Sequence, residues 1–112
     1  MADGASDPGH IPEREIRVLI VDDFNEKYFA RVQHWLSGLG CLFTETDGIY
    51  RIEFPPGTTE AVCPGMSSPW TYVTAITIPG AKEPLIRIQA QRLSTGKIAN
   101  HLGLPKFLME ER

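Results

Sequence analysis

Apolar positions recur along this chain with two different periods, separated by stretches that have none. Ile16 to Val21 (Ile-Arg-Val-Leu-Ile-Val) is a β-branched run bounded by charges, which predicts a strand with little sign of a wet face. Tyr28, Phe29, Val32, Trp35, Leu36 and Leu39 then fall at helical spacing and form one broad stripe, the mark of an amphipathic helix. Asp23 with Glu26 three residues later has the form of a capping box at its start. Gly38 and Gly40 supply the stop. Lys27, Arg31 and His34 lie on the opposite side, so His34 is expected to face solvent.

A hairpin follows. Asp47-Gly48 is a type I′ turn signal between Cys41–Thr46 and Ile49–Phe54. A two-residue turn pairs Thr46 with Ile49, Thr44 with Arg51 and Phe43 with Ile52. Cys41, Phe43, Tyr50, Ile52 and Phe54 then make the core face, and Leu42, Thr44, Arg51 and Glu53 the other. Residues 55–70 hold four prolines and two glycines and read as a long loop, a feature associated with function. Tyr72–Ile78 and Leu85–Gln91 are strands by composition. In the second, Ile86, Ile88 and Ala90 point one way and Arg87, Gln89 and Gln91 the other. Ser94 or Thr95 is positioned to cap a helix through Leu102 that ends at Gly103. Pro105 suits the start of a short second helix carrying Phe107 and Leu108.

The predicted fold is α+β. A mostly antiparallel sheet of about four to five strands packs against one long amphipathic helix, with a short C-terminal helical segment. Residues 1–14, polar and rich in Gly and Pro, read as a flexible tail, and residues 15–112 as a single domain. A chain of 112 residues with 42% hydrophobic content can form a core without disulfide or metal staples. No apolar run reaches the ~18–20 residues of a membrane span, and the start lacks a signal-peptide pattern. No membrane association and a cytoplasmic location are therefore expected.

Charge redraws this picture. The net of −3 resolves into 11 acids against 5 bases in residues 1–60, none in residues 61–81, and a net of +4 across residues 82–106 from Lys82, Arg87, Arg92, Lys97 and Lys106 against Glu83. A local basic edge attracts phosphates or an acidic partner even on an acidic protein.

Three segments invite comparison with known families. The stretch Ile16 to Cys41, with Val-Leu-Ile-Val-Asp-Asp, resembles the opening of a response-regulator receiver domain, but no later strand ends in an aspartate. Asp22 and Asp23 therefore read as helix caps. Lys97–Pro105 looks like the first helix and turn of a helix-turn-helix, yet the second helix would carry Glu110 and Glu111 where a DNA reader needs basic or amide side chains. The order helix, hairpin, strand ending Thr-Ile-Pro-Gly and helix ending Gly-Leu is similar to that of HicA-type toxins, which have a double-stranded-RNA-binding-like fold. Those carry a histidine after the hairpin glycine. Here Gly48 precedes Ile49, Tyr50 and Arg51, so the proton carrier for phosphodiester cleavage is missing.

No metal or cofactor is expected. Cys41 and Cys63 form no CxxC pair, and His10, His34 and His101 have no ligand spacing. The leading expectation is a non-enzymatic binding module that acts on a protein partner or on a second copy of itself. Its surface would use Trp70 and Tyr72 as aromatic contacts and Arg51, Arg87, Gln89, Gln91, Arg92 and Lys97 as hydrogen-bonding groups. Nucleic-acid binding through the basic edge 82–106 is the alternative. A small enzyme using Cys63 with His101 or His34 is a third.

Overall fold

The computed structural model describes residues 13–66, 68, 71–91 and 96–110. The elements, in order, are β1 (Glu13–Glu15), β2 (Val18–Val21), α1 (Phe29–Gly38), β3 (Leu42–Thr46), β4 (Ile49–Glu53), β5 (Thr59–Val62), β6 (Thr71–Thr77), β7 (Leu85–Gln91), β8 (Ile98–Gly103) and α2 (Lys106–Met109). The strands form two antiparallel sheets, one ordered β1-β5-β6-β7-β8 and the other β2-β4-β3.

Residues 13–23 join the two sheets. Their first part pairs with β5. The chain kinks at Ile16 and Arg17, where the Ile16 N–H donates to the Thr58 carbonyl at 3.0 Å and the Arg17 carbonyl accepts from Phe54 N–H at 2.8 Å. β2 then runs along β4. At its end, Asp22 N–H donates to the Asn100 carbonyl at 3.0 Å, and Asn100 N–H donates to the Asp22 carboxylate at 2.7 Å. One segment therefore touches strands from both sheets, including both sides of the larger one.

The hairpin register is the expected one, Thr46 opposite Ile49 through Leu42 opposite Glu53. Asp47 and Gly48 take φ of 53° and 82°, the left-handed pair that a type I′ turn requires. Phe43, Tyr50, Ile52 and Phe54 are buried with Leu19 and Val21 against Val32 and Leu36 of α1, and Ile76 and Leu85 close the core from the larger sheet. Phe24, Phe29, Phe43 and Tyr50 form an aromatic cluster with ring centroids 4.9–5.9 Å apart.

Several expectations are corrected. Among the described residues there are eight strands in two sheets where about four to five in one were expected, and the helix is not long. Its first turn, Glu26–Tyr28, is 3₁₀, capped by Asn25, whose side chain accepts from Lys27 N–H at 3.0 Å. Asp22 and Asp23 are not caps, because β8 takes them: Asp23 bridges to His101. β2 does have a wet face, with Val18 and Ile20 exposed, since β2 lies in a sheet whose outer side nothing in the described chain covers. The proline-rich stretch contains β5. The Thr58 hydroxyl donates to the Pro55 carbonyl at 2.8 Å and Gly57 takes φ of 92°, so the turn closes early and leaves four residues free to pair with β6.

The largest correction is β8. Residues 98–103 are a strand with six pairs to β7, not the helix that the capping and Gly103 signals suggested. Gly103 is not among the glycines with positive φ; it sits close to Ile86, 3.2 Å from where a Cβ would stand to the Ile86 Cβ. A short isolated helix is marginal in water, whereas the open side of β7 offers a full ladder of hydrogen bonds. The helix-turn-helix resemblance ends there. Ser94 and Thr95 lie outside the described residues.

Candidate functional site

Residues at alternate positions on neighbouring strands share a face, and on one face of the larger sheet this places polar side chains from all five strands together. Glu60 on β5 is 3% exposed. Its Oε2 accepts from the Thr74 hydroxyl on β6 at 2.6 Å and from Arg87 Nη1 on β7 at 3.0 Å. Its Oε1 accepts from Arg14 Nη2 on β1 at 3.2 Å and from Arg87 Nη1 at 3.3 Å. Arg87 Nε donates to the Asn100 side-chain oxygen on β8 at 3.2 Å. Through the main chain of Asn100 the network reaches Asp22.

A buried carboxylate needs such partners, since burial alone disfavours its charge. Burial is the largest single influence on Glu60 and pushes its pKa up. Hydrogen bonds from Thr74 and Arg87, the Arg87 charge and the Arg14 hydrogen bond together outweigh it, and the net direction is down. Near neutral pH the group is therefore a charged, fully engaged anion with no proton to donate. Among the described residues no buried side-chain nitrogen or oxygen lacks a hydrogen-bond partner.

Over this network lies an open cleft of about 360 Å³ lined by Arg14, Glu60, Val62, Tyr72, Thr74, Arg87 and Gln89. Tyr72 is 47% exposed and Arg14 74%, whereas the Arg87 side chain is 16% exposed. The cleft thus has a hydrogen-bonded, internally neutralised floor and walls carrying a phenol ring, an amide and a guanidinium.

The structure gathers three of the residues selected from sequence, Tyr72, Arg87 and Gln89, into this cleft and places Arg51, Gln91 and Lys97 elsewhere. Arg51 lies on the outer face of the smaller sheet, ion-paired with Glu53. Gln91 Nε2 donates to the Gly96 carbonyl at 3.4 Å, across the β7–β8 connection. Lys97 stands just before β8. Trp70 and Arg92 lie outside the described residues. The described basic residues of 82–106 do not line one edge: Lys82 borders a groove of about 400 Å³ with Trp35 and Phe107, at the other end of β7 from Lys97, roughly 20 Å along the strand.

Glu60, Arg14, Thr74 and Asn100 were missed in the sequence. The available signal was Glu60 itself, the last charge before 21 uncharged residues and a candidate for burial that demands a basic partner. Cys63 and His101 end on the same face but three strand spacings apart, since the Cys63 N–H bonds to Val73 and Val73 and His101 both pair with Ile88. That is roughly 14 Å, beyond direct proton transfer. Cys41 is buried, which pushes its thiol up to about 11. No group of three or more His, Cys, Asp or Glu among the described residues is arranged to hold a metal. No helix among them is long and apolar enough to cross a membrane.

Comparison with known proteins adds nothing to this site: no protein-family model, no curated protein and no solved structure matches the chain. The fold is that of a small α+β domain with two antiparallel sheets.

Proposed function

We propose that this chain is a non-enzymatic binding module and that the cleft over Glu60 takes a segment of a protein partner, with an acidic side chain of that segment meeting Arg14 and an apolar or planar group meeting Tyr72. The observation that carries this reading is the division of labour in the cleft: the floor residues satisfy one another, while Tyr72 and Arg14 remain exposed. Aromatic and arginine side chains on a rigid support are the usual anchors of protein interfaces. Arg14 and Arg87 against Glu60 leave one net positive charge there, on a protein of net charge −3, which favours an acidic segment. Glu60, with its pKa lowered, is poorly suited to general acid or base work near neutral pH.

The test is a titration of the labelled protein with short acidic, basic and neutral peptides and with single-stranded RNA at two salt concentrations. Acidic peptides containing an aromatic or aliphatic residue are expected to shift the NMR signals of Tyr72 and Gln89, and Arg14→Gln and Tyr72→Ala to weaken them about fivefold or more. Salt-steep RNA binding with no peptide response would overturn the reading in favour of nucleic acid.

A further inference from the structure

β3 is an outer strand of the smaller sheet, with β4 on one side and no strand on the other among the described residues. Proteins usually blunt such edges with charges, prolines or very short strands. The larger sheet follows this rule: β1 is three residues, Glu-Arg-Glu, and the outer side of β8 receives Asp22 and Asp23. β3, Leu-Phe-Thr-Glu-Thr, has no proline, no basic residue and a single acid.

The two-residue turn makes Thr46 and Ile49 a hydrogen-bonded pair, so Leu42 and Thr44 also turn their backbone groups toward β4 while Phe43 and Glu45 turn theirs outward. The Phe43 carbonyl shows this aim by accepting from Gln33 Nε2 of α1 at 3.0 Å. Beside the edge runs a groove of about 320 Å³ lined by Ala30, Gln33, His34 and Ser37 of α1 and by Cys41 to Phe43.

We propose that β3 pairs antiparallel with β3 of a second copy of this chain, about a two-fold axis at Thr44, to make one six-stranded sheet. The strand is self-complementary in that register. Phe43 of one copy faces Glu45 of the other, so the outward N–H and C=O groups of both residues pair reciprocally, the Phe43 carbonyl using its second lone pair. On the outer face Thr44 meets Thr44 and Leu42 meets Thr46, pairs without like charge. On the inner face Phe43 of each copy meets Glu45 of the other, whose carboxylate accepts from the Gly48 N–H of its own turn at 2.8 Å, so this pair too brings no like charges together. The larger sheet and its cleft take no part, so this pairing stands or falls apart from the proposed partner site.

Sedimentation equilibrium of the full chain from low-micromolar to millimolar concentration reads the association directly. The wild type is expected to approach twice the monomer mass. Thr44→Lys, at an exposed position, is expected to keep the far-UV spectrum and raise the dimer dissociation constant about tenfold, because the two lysines meet on the axis. Thr44→Cys, whose two thiols would face each other across a non-hydrogen-bonded pair, is expected to give a 44-to-44 disulfide by peptide mapping under mild oxidation. Thr46→Cys, on the same face of the strand, is not. A wild type that stays monomeric throughout would overturn the proposal. So would equal cross-linking at both positions, or an association that Thr44→Lys leaves unchanged.

Discussion

Replacing Arg87 with methionine tests the physical account of the cleft floor most directly. The change keeps much of the side-chain bulk but removes the guanidinium that donates to both oxygens of Glu60 and to Asn100. Breaking a buried ion pair from one side costs about 3–5 kcal/mol, chiefly because the other charge is left behind. Thr74 and the largely exposed Arg14 remain on Glu60, so the lower end applies, about 3 kcal/mol. For a domain of this size that lowers the melting temperature by roughly 12–24 °C. Urea unfolding at pH 7 measures it. The double variant Glu60→Leu with Arg87→Met leaves no charge stranded and is expected to recover most of the loss, since an apolar replacement of a buried pair is close to neutral.

The pH dependence supplies a second readout on the same variant. In the wild type the Glu60 pKa is lowered from an ordinary value near 4.5, so its contribution is complete above that value and is lost as pH falls through the folded-state pKa. Without Arg87, two of the influences that hold the pKa down are gone while burial stays, so the variant's Glu60 pKa lies above the wild type's, and the stability gap between the two narrows as pH falls through that range. A single-variant cost below about 1 kcal/mol, or additive losses in the double variant, would refute the reasoning.

Other outcomes follow from individual contacts. Gly48→Ala is expected to cost about 1–2 kcal/mol in unfolding free energy, because φ of 82° is a left-handed conformation that a Cβ opposes. Gly103→Val is expected to destabilise by about 1–3 kcal/mol through crowding of Ile86, whose Cβ stands 3.2 Å from the added atom; a helix-capping role would instead tolerate Asn there. Arg31→Ala removes the side chain that donates to the Leu108 and Glu110 carbonyls at 2.7 and 3.1 Å, and hydrogen exchange is expected to rise in α2 before it rises in β7. Cys63, half-buried, is expected to alkylate before Cys41, whose thiol is buried and pushed up to about 11; equal rates by mass spectrometry would contradict the core placement of Cys41.

Much of the smaller sheet and its helix was legible in the chain because its signals are local. A turn dipeptide sets the β3–β4 register, and a 3.6-residue stripe from Tyr28 to Leu39 marks the helix together with the face it buries. The strands β6 and β7 were legible for the same reason, as was the shared face of Arg87 and Gln89. Local signals misled where the chain had a distant alternative. Residues 98–103 follow a cap signal at Ser94 or Thr95 and end on a stop signal at Gly103, yet β7 had an unpaired side and took them as β8. Asp22 and Asp23 sit where helix caps belong, but the amide of Asn100, 78 residues away from Asp22, held one of them more closely than the helix did.

By itself, the sequence determined the element types with strong periodicity, the hairpin register and the uneven distribution of charge, because each depends on residues within a few positions of one another. Only the tertiary structure decided that there are two sheets, that residues 13–23 serve both, and that Glu60 meets Arg14, Thr74 and Arg87. Those meetings depend on strand order, and strand order is set by which edges remain open once the local elements have formed. Lys82, Arg87 and Lys97, which read as one basic edge in the sequence, were separated for the same reason: Lys82 and Lys97 lie beyond opposite ends of β7, and Arg87 turns inward to a buried carboxylate.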